Sequence, residues 1–536
     1  METFDYIVVG AGSAGCVVAR RLSDNPEVRV LLIEAGPPPA GFWQRVPAGM
    51  AKMFSANRFN WGFNTEPVPG LNGRQLFWPR GKTLGGSSAI NGMVFTRGNK
   101  ADYDDWSAMG NPGWSWADVL PYFKKLEDNE RGANEHRGTG GPLKIADPAV
   151  KPQIMYDFIE SAVQSGIPSV ADISTAGTEG VGILQASIHG GVRQSTYDAY
   201  LSSVRHRQNL QIITDAHVLR ILVDGRTAIG VELLTADGTR SVLASSEVVL
   251  CAGALNSPHL LMLSGIGDRE ELEQHGIATR VHLPGVGKNL QDHLSALVKV
   301  ETQPGWSHNP HLMSWRKYVE GAKYLATNGG LLACGATFAA ALTRSDDSLP
   351  HADLQLGFRP ITFSYASNGA VSIDDIDAVS VSVFVCRPKS RGEVRIRSAD
   401  PLDPLKFIPN YLSADEDMIA MISGIRQIRK ILQTGPIATR IVRELTPGNA
   451  LQSDAQLADF IRATGKTSFH VSGTCKMGHD AMAVVDDRLR VKGVNRLRVI
   501  DASIMPTVTS GNTNAPSIMI GEKGVDMIIH DARAEA

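Results

Sequence analysis

The sequence predicts an α/β protein (α+β overall) of two domains, one built on a partly parallel sheet with helices and one on an antiparallel sheet. A chain of 536 residues exceeds what one hydrophobic core usually fills, so two domains are expected. Residues 6–33 hold two short apolar runs around a helical pattern, which is typical of a β-α-β unit. Residues 379–385 and 392–397 are extended runs that indicate antiparallel strands.

In the first unit, an apolar strand runs into residues 10–15, which read GAGSAG and match G-x-G-x-x-G. Gly10 permits the tight turn, Gly12 lets the backbone approach a pyrophosphate, and Gly15 lets the helix pack against the sheet. The second strand ends at Glu34, whose carboxylate suits a ribose diol. Together these features predict a Rossmann-like dinucleotide-binding domain, although they do not choose between NAD and FAD.

Further elements follow along the chain. A Gly/Pro/aromatic stretch, residues 36–79, is too long for an idle loop, and we expect it to cover something. Residues 209–253 read as a β-meander with hairpin turns at two Asp-Gly pairs, followed by a helix. Residues 415–432 predict an amphipathic helix. A core strand is expected at 496–500, ending at Asp501.

A second Gly/Ser-rich segment spans residues 80–91, RGKTLGGSSAIN, and is followed by Gly92-Met93-Val94. Consecutive small residues let backbone amides approach a phosphate or a flat ring. Glycine clusters mark ordinary turns equally often. The residues alone leave both interpretations open.

Composition excludes several classes of function. The formal net charge is -2, so nothing suggests a nucleic-acid partner. No run approaches the roughly 18 apolar residues of a membrane span, which leaves only peripheral membrane contact open. Five scattered cysteines and no visible signal peptide favour a reducing, cytoplasmic location. His470, Cys475 and His479 match no zinc spacing, so no metal is expected.

Five segments together resemble the glucose-methanol-choline (GMC) oxidoreductase family. They are residues 80–98, 253–267, 470–478 (HVSGTCKMG), 501–506 (DASIMP) and 511–516 (GNTNAP). With the first glycine motif they run in order along nearly the whole chain. The resemblance is strongest to the bacterial branch with choline dehydrogenase-like, alcohol dehydrogenase-like and sorbose dehydrogenase-like enzymes.

The resemblance implies an FAD-binding domain from residues 1–150, 190–295 and 460–536, and a substrate-binding domain from residues 151–189 and 296–459. The expected FAD-binding residues run from the ADP half to the flavin ring. They are Gly10, Gly12, Gly15, Glu34, Ala35, Val218, Arg80, Gly85, Gly86, Ser87, Asn91, Gly92, Val94, Asp501, Ala502, Asn512 and Thr513.

The resemblance also implies oxidation of an alcohol to an aldehyde or ketone by hydride transfer to flavin N5. A base must take the hydroxyl proton, and His470 matches the family's catalytic histidine. Asn514 is expected to donate an amide N–H to the developing alkoxide. The partners are then a small alcohol and either O2 or a quinone-like electron acceptor. The alcohol itself is not identified.

Two departures from the family pattern matter. Relatives with covalently bound flavin carry a histidine near the position of Ile90, so dissociable FAD is expected here. Relatives commonly have proline where this chain has Val471, which loosens one backbone constraint beside His470.

Several alternatives remain open. A nicotinamide enzyme leaves residues 80–91 and 470–478 unexplained. A hydroxynitrile lyase-like protein would use FAD only structurally, and a sorbose-like enzyme would oxidise a polyol. A non-catalytic binding protein does not need the His470 and Asn514 pair.

Overall fold

The computed structural model describes residues 2–174, 179–366 and 369–535. Within these ranges, two seven-stranded sheets dominate the fold. In chain order their strands are β1 (Thr3–Val9), β2 (Val30–Ile33), β3 (Gly180–Ile183), β4 (Leu210–Ile213), β5 (His217–Asp224), β6 (Thr227–Thr235), β7 (Gly238–Leu250), β8 (Leu294–Thr302), β9 (Ala339–Thr343), β10 (Leu354–Arg359), β11 (Ala378–Val385), β12 (Ile441–Thr446), β13 (Lys466–Thr467) and β14 (Leu497–Val499).

The longer helices cover both sheets. In chain order they are α1 (Ser13–Leu22), α2 (Lys100–Ala108), α3 (Trp116–Leu126), α4 (Gln153–Gln164), α5 (Gly253–Leu263), α6 (Arg316–Thr327), α7 (Asp415–Leu432), α8 (Asp454–Thr464) and α9 (Asn514–Glu535). Shorter helices include Phe42–Arg45, Met50–Met53, Arg269–Gln274, Asn309–Met313 and Gly435–Ala438. Small two-stranded ladders pair Phe63–Asn64 with Phe77–Trp78, Glu127–Asn129 with Leu143–Ile145, Ile188–His189 with Val192–Arg193, Ile266–Gly267 with Val281–His282, Phe363–Tyr365 with Val371–Ile373, and Glu393–Arg395 with Lys406–Ile408.

The first sheet has the order β4-β2-β1-β7-β6-β5, with β14 also paired to β7. Strands β1, β2, β4 and β14 run parallel to their neighbours, whereas β5, β6 and β7 form an antiparallel meander. The predicted β-α-β unit and meander are confirmed. The carboxyl ends of β1 and β2 meet at one edge, where an α/β sheet usually binds its ligand.

The second sheet has the order β12-β8-β11-β10-β9-β3, with β13 also paired to β8, and all its pairs are antiparallel. Strand β11 is buried along its whole length because helices cover one face and a cavity wall lies on the other. The predicted helix at 415–432 is α7. Residues 393–395 form a separate ladder rather than a strand of this sheet. The predicted fold class is confirmed, while the domain boundaries stay a prediction.

Helix α9 packs beside α1. The carboxylate of Glu522 is fully buried and accepts hydrogen bonds from Arg21 at 2.7 Å and from the Tyr200 hydroxyl at 3.0 Å. Lys125 adds an ion pair at 3.1 Å. A buried charge is tolerated when its partners satisfy it in this way, and losing one partner is costly. This network therefore holds the two ends of the chain together.

No helix in the described ranges is long and apolar enough to cross a membrane. All five cysteines are described, and each is buried and free.

Candidate active site

One cavity of about 1120 Å³ lies between the two sheets. It extends from the glycine turn after β1 to the cavity face of β8, β10 and β11. Of the residues expected to bind FAD or act in catalysis, those that line it are Gly10, Gly12, Glu34, Ala35, Arg80, Gly86, Ser87, Asn91, Gly92, Val94, Val218, His470, Asp501, Ala502, Asn512, Thr513 and Asn514. Most of the expected residues therefore line one continuous cavity.

Gly15 and Gly85 do not line the cavity but contact residues that do. A Cβ added to Gly15 would lie 1.8 Å from the Gly10 carbonyl oxygen, so only glycine lets α1 pack this closely on the turn. The Gly85 amide donates to the Ala11 carbonyl at 2.8 Å. A Cβ on Gly86, whose φ is +52°, would lie 2.6 Å from the Gly12 Cα. The two glycine segments thus touch and form one wall.

The first turn of α1 opens onto this cavity. Its N-cap residue, Gly12, provides no side-chain hydrogen bond, and the turn contains no acidic residue. The free N–H groups and the helix dipole suit a pyrophosphate. Glu34 accepts from the amides of Ala11 and Gly36, both at 2.9 Å. Each carboxylate oxygen retains a lone pair for a ribose hydroxyl.

The carboxylate of Asp501 accepts hydrogen bonds from other parts of the protein. Its carboxylate accepts from the Gly253 amide at 2.9 Å, the Ser257 hydroxyl at 2.5 Å and the Ser503 amide at 2.8 Å. Burial raises its pKa, while these hydrogen bonds oppose that rise. Asp501 consequently joins the start of α5 to the segment that carries Ala502.

A buried carboxylate holds the backbone of His470. The His470 amide donates to Asp292 Oδ1 at 2.7 Å, and the Thr467 hydroxyl donates to Asp292 Oδ2 at 2.5 Å. The Tyr411 hydroxyl also donates to Asp292. Burial raises the pKa of Asp292, and the hydrogen bonds and nearby Arg80 counteract it. The imidazole is thereby placed at the end of β13, facing the cavity.

The residue before His470 has an unusual backbone conformation. Phe469 has φ of +67°, a left-handed conformation that is costly for a bulky residue and is often found at functional sites. Its amide donates to the Thr467 hydroxyl at 2.8 Å, and its carbonyl accepts from Arg80 Nη1 at 2.8 Å. These bonds hold the turn that aims His470 into the cavity.

Hydrogen bonds assign the protons on two neighbouring imidazoles. His293 Nε2 lies 2.9 Å from the Cys386 carbonyl, which can only accept, so this nitrogen carries a hydrogen. In neutral His293, Nδ1 then accepts from His470 Nδ1 at 2.9 Å. His470 Nε2 is consequently left unprotonated, with its lone pair on the cavity side. This is the tautomer that a proton acceptor requires.

Burial keeps both rings neutral. It lowers the pKa of His293 to about 4. It lowers the pKa of His470 well below 6.5, with smaller contributions from His293 and Arg80. His470 is only 6% exposed.

The amide beside His470 belongs to Asn512. Its Nδ2 donates to His470 Nε2 at 2.8 Å, and its Oδ1 is buried without a protein partner in the described chain. Asn514, the residue predicted for this role, lies at the start of α9. Its Oδ1 accepts from the Ser13 hydroxyl at 2.7 Å. The structure therefore pairs His470 with Asn512 and places Asn514 at the N-terminal end of α1.

Buried polar atoms along the cavity fit a polar cofactor. Among described lining residues, those with side-chain atoms lacking a protein partner are Arg80 (Nε and Nη2), His259 (Nε2) and Asn512 (Oδ1). Such atoms normally have a hydrogen-bond partner. Together with the uncapped start of α1, they fit an elongated dinucleotide such as FAD. Sequence reasoning missed His259, His293 and Asp292 as parts of this site.

Fold and cavity define a two-domain oxidoreductase that uses FAD, and comparison with known proteins supports this class. A GMC oxidoreductase model matches residues 4–295, and the model for the C-terminal part of that family matches residues 388–521. The chain belongs to the GMC oxidoreductase family, as predicted.

The relatives cover nearly the whole chain. Human mitochondrial choline dehydrogenase is 41% identical, over 98% of this chain and 90% of that protein. The alcohol dehydrogenase (acceptor) of Pseudomonas putida is 40% identical, over 98% of this chain and 96% of that protein. The structure of pyridoxine 4-oxidase from Mesorbium loti has a TM-score of 0.89 at 32% identity, covering 98% of this chain and 99% of that one. The predicted enzyme class, FAD-dependent oxidation of alcohols, is confirmed at the level of the family.

Proposed function

We propose that this chain oxidises an alcohol to a carbonyl compound with His470 as the base. The observation that carries the proposal is the unprotonated Nε2 of His470, which accepts from the Asn512 amide and lies in a cavity large enough for both FAD and a small substrate. FAD, when bound, supplies the acceptor for the hydride of the alcohol carbon.

The protein's own contribution is to place and hold a proton. The substrate hydroxyl takes the place of the Asn512 amide at His470 Nε2 and transfers its proton there as the carbon–hydrogen bond breaks. The imidazolium formed is stabilised because its Nδ1–H already donates to His293. The Asp292 hydrogen bond keeps the backbone of His470 still during this transfer.

Asn512 is our candidate for the second polar group. Its amide N–H already lies 2.8 Å from His470 Nε2, so a substrate oxygen bound at that nitrogen comes within reach of the same donor. A preorganised donor stabilises negative charge that develops on the oxygen. This replaces the role predicted for Asn514, which is occupied with Ser13.

Anaerobic reduction tests the proposal directly. The purified protein is expected to be yellow, and a good alcohol should bleach its flavin absorbance without oxygen. A panel of aliphatic, aromatic, choline-like and polyol alcohols defines the substrate range. Admitting air or a quinone afterwards identifies the acceptor that restores the colour. A protein that keeps its flavin but is bleached by no alcohol would instead support the lyase-like alternative.

The pH dependence should reflect a buried, neutral base. Protonation of His470 removes its proton-accepting nitrogen, and its pKa lies well below 6.5. The rate constant for flavin bleaching is therefore expected to stay level above a pH of about 6.5 and to fall only in more acidic solution. Stopped-flow traces at saturating alcohol measure it. A loss of rate between about pH 8 and 6.5 would contradict this assignment.

His293 should act as a positioning residue. In His293→Ala, His470 Nδ1 loses its acceptor and water enters the space left by the ring. We expect kcat to fall about 100-fold with a smaller change in KM. The acidic limb of the pH profile should also move to higher pH, because burial no longer lowers the pKa of His470 as strongly.

A matched control separates this role from general damage. His308 is a half-buried histidine whose pKa burial also lowers to about 4, but it does not line the cavity. His308→Ala should leave kcat and the pH profile unchanged. Equal losses in both variants would assign His293 a purely structural role.

The flavin is expected to dissociate. Ile90, at the position where covalent relatives carry histidine, is 2% exposed and packs with Met53 and Phe59. An aliphatic side chain cannot bond to the ring. Acid precipitation should therefore leave a yellow supernatant and a colourless pellet. A yellow pellet would show a covalent link through another residue.

The state of the cysteines indicates the redox conditions in which the protein works. Five free, buried thiols support a reducing compartment such as the cytoplasm.

A further inference from the structure

The far part of the cavity is walled by one face of the second sheet. The strand register places Ser295, Phe384 and Gln355 side by side on β8, β11 and β10, and all three line the cavity. The ring of Phe384 lies 5.8 Å from that of His470. This row of residues therefore faces the substrate space beside the base.

Two positively charged side chains line the same wall of the cavity. Lys466 of β13 pairs with Ser295 in the register and lines the cavity. Arg359 ends β10, four residues beyond Gln355, and also lines it. Four residues of strand span about 13 Å, so Arg359 marks the distal end of the space.

Neither cation has an acidic partner in the described chain. Burial lowers the pKa of Arg359, and the nearby Tyr365 phenol opposes that change. Burial, Lys299 and Arg74 lower the pKa of Lys466. The Lys466 ammonium lies 4.5 Å from the centre of the Tyr365 ring. A partly buried cation without a counter-charge is unfavourable until an anion joins it.

The carboxylates of the cavity wall are all engaged elsewhere. Glu34 and Asp501 bind backbone amides, Glu66 pairs with Arg397, and Asp403 accepts from Ser398 at 2.6 Å. The substrate end is thus positively charged.

Aromatic rings complete this end of the cavity. Phe54 stacks near Tyr365, with centroids 6.4 Å apart, and meets Phe469 edge-on at 5.3 Å. Phe469 directly precedes His470. Rings in this arrangement suit a flat apolar body between the base and the two cations.

We propose that the substrate is an alcohol that carries a carboxylate on the far side of a flat apolar body. Its hydroxyl lies at His470, and Arg359 and Lys466 bind its carboxylate. The proposal rests on the proposed function and specifies the substrate class. Arginine and lysine both form strong charge-assisted hydrogen bonds to carboxylates, whereas a quaternary ammonium such as that of choline would be repelled.

Matched alcohols test the charge preference. We would measure kcat/KM for 4-(hydroxymethyl)benzoate, 4-(hydroxymethyl)benzamide and choline. We expect the benzoate to exceed the amide by at least about tenfold and choline to be the poorest. In Arg359→Gln and in Lys466→Gln, the benzoate should lose about tenfold, mainly through KM, while the amide stays unchanged.

Lys317→Gln is the control, because Lys317 also lies over a tyrosine ring, at 5.3 Å from Tyr318, but outside the cavity. The Lys317→Gln variant should have the same kcat/KM as the wild-type enzyme for all three alcohols. Equal kcat/KM for benzoate and amide in the wild-type enzyme would overturn the proposal, as would equal losses for both substrates in the two cavity variants.

A binding measurement separates this proposal from the proposed function. The unreactive analogues 4-methylbenzoate and 4-methylbenzamide can be titrated into the holoenzyme and followed by flavin absorbance. Tighter binding of the benzoate that is lost in Arg359→Gln supports the anion site even if no alcohol bleaches the flavin. Equal binding of the two analogues overturns it even if neutral alcohols are oxidised.

Discussion

Replacing His470 with alanine is expected to slow alcohol-driven bleaching of the flavin by about 10²- to 10⁴-fold, while the protein stays yellow. The substitution removes the unprotonated nitrogen that accepts the hydroxyl proton, but it leaves the glycine turns and Glu34 intact. Stopped-flow measurement of bleaching and the flavin content of the purified variant give both quantities. Loss of colour together with rate would instead indicate a structural role.

The same measurement decides between the two asparagines. Asn512→Ala should slow bleaching by about 10²-fold, because its amide lies against His470. Asn514→Ala should slow bleaching by less than about tenfold, since Asn514 accepts from the Ser13 hydroxyl at the start of α1. The opposite ranking would restore the role that the sequence predicted for Asn514.

Replacing Gly15 with alanine should abolish FAD binding and destabilise the fold by more than about 4 kcal/mol, an exceptional cost for a single substitution. The new Cβ would lie 1.8 Å from the Gly10 carbonyl oxygen. Either α1 moves away from the sheet or the glycine turn distorts, and both disrupt the phosphate end. Flavin content and thermal unfolding report the effect.

Gly321→Ala is a chemically identical control. Gly321 lies in α6 and has no neighbouring heavy atom within 4 Å of an added Cβ. Alanine is the better helix former by about 1 kcal/mol, so this variant should bind FAD normally and unfold at a slightly higher temperature. If Gly15→Ala behaved like Gly321→Ala, the packing argument would be wrong.

Local signals explain what the sequence could predict. The turn at residues 10–15 and the acid at Glu34 depend on short-range constraints, namely a tight turn, a close helix approach and the end of a strand. The meander and α7 likewise follow from Asp-Gly turns and helical periodicity. Such features are visible in a few dozen consecutive residues.

Long-range contacts explain what the sequence could not predict. His293 and His470 are 177 positions apart, and nothing near His293 in the sequence marks it as a partner. Asn512 and Asn514 lie two residues apart at the start of a helix, where a small difference in backbone path decides which amide faces the base. Arg359 and Lys466 lie on different strands, and only the folded structure places both near Tyr365.

The contact between α1 and α9 has a consequence for how the protein is made. Ser13 and Asn514, which meet at the cavity, are separated by 501 positions. At about 5–20 residues per second, the ribosome needs about 25 to 100 s after making α1 to deliver its partner. During that interval Arg21 lacks its carboxylate and one face of α1 is uncovered. We therefore expect flavin capture only after α9 has been made, and a nascent chain that stalls before α9 to be colourless and prone to aggregate.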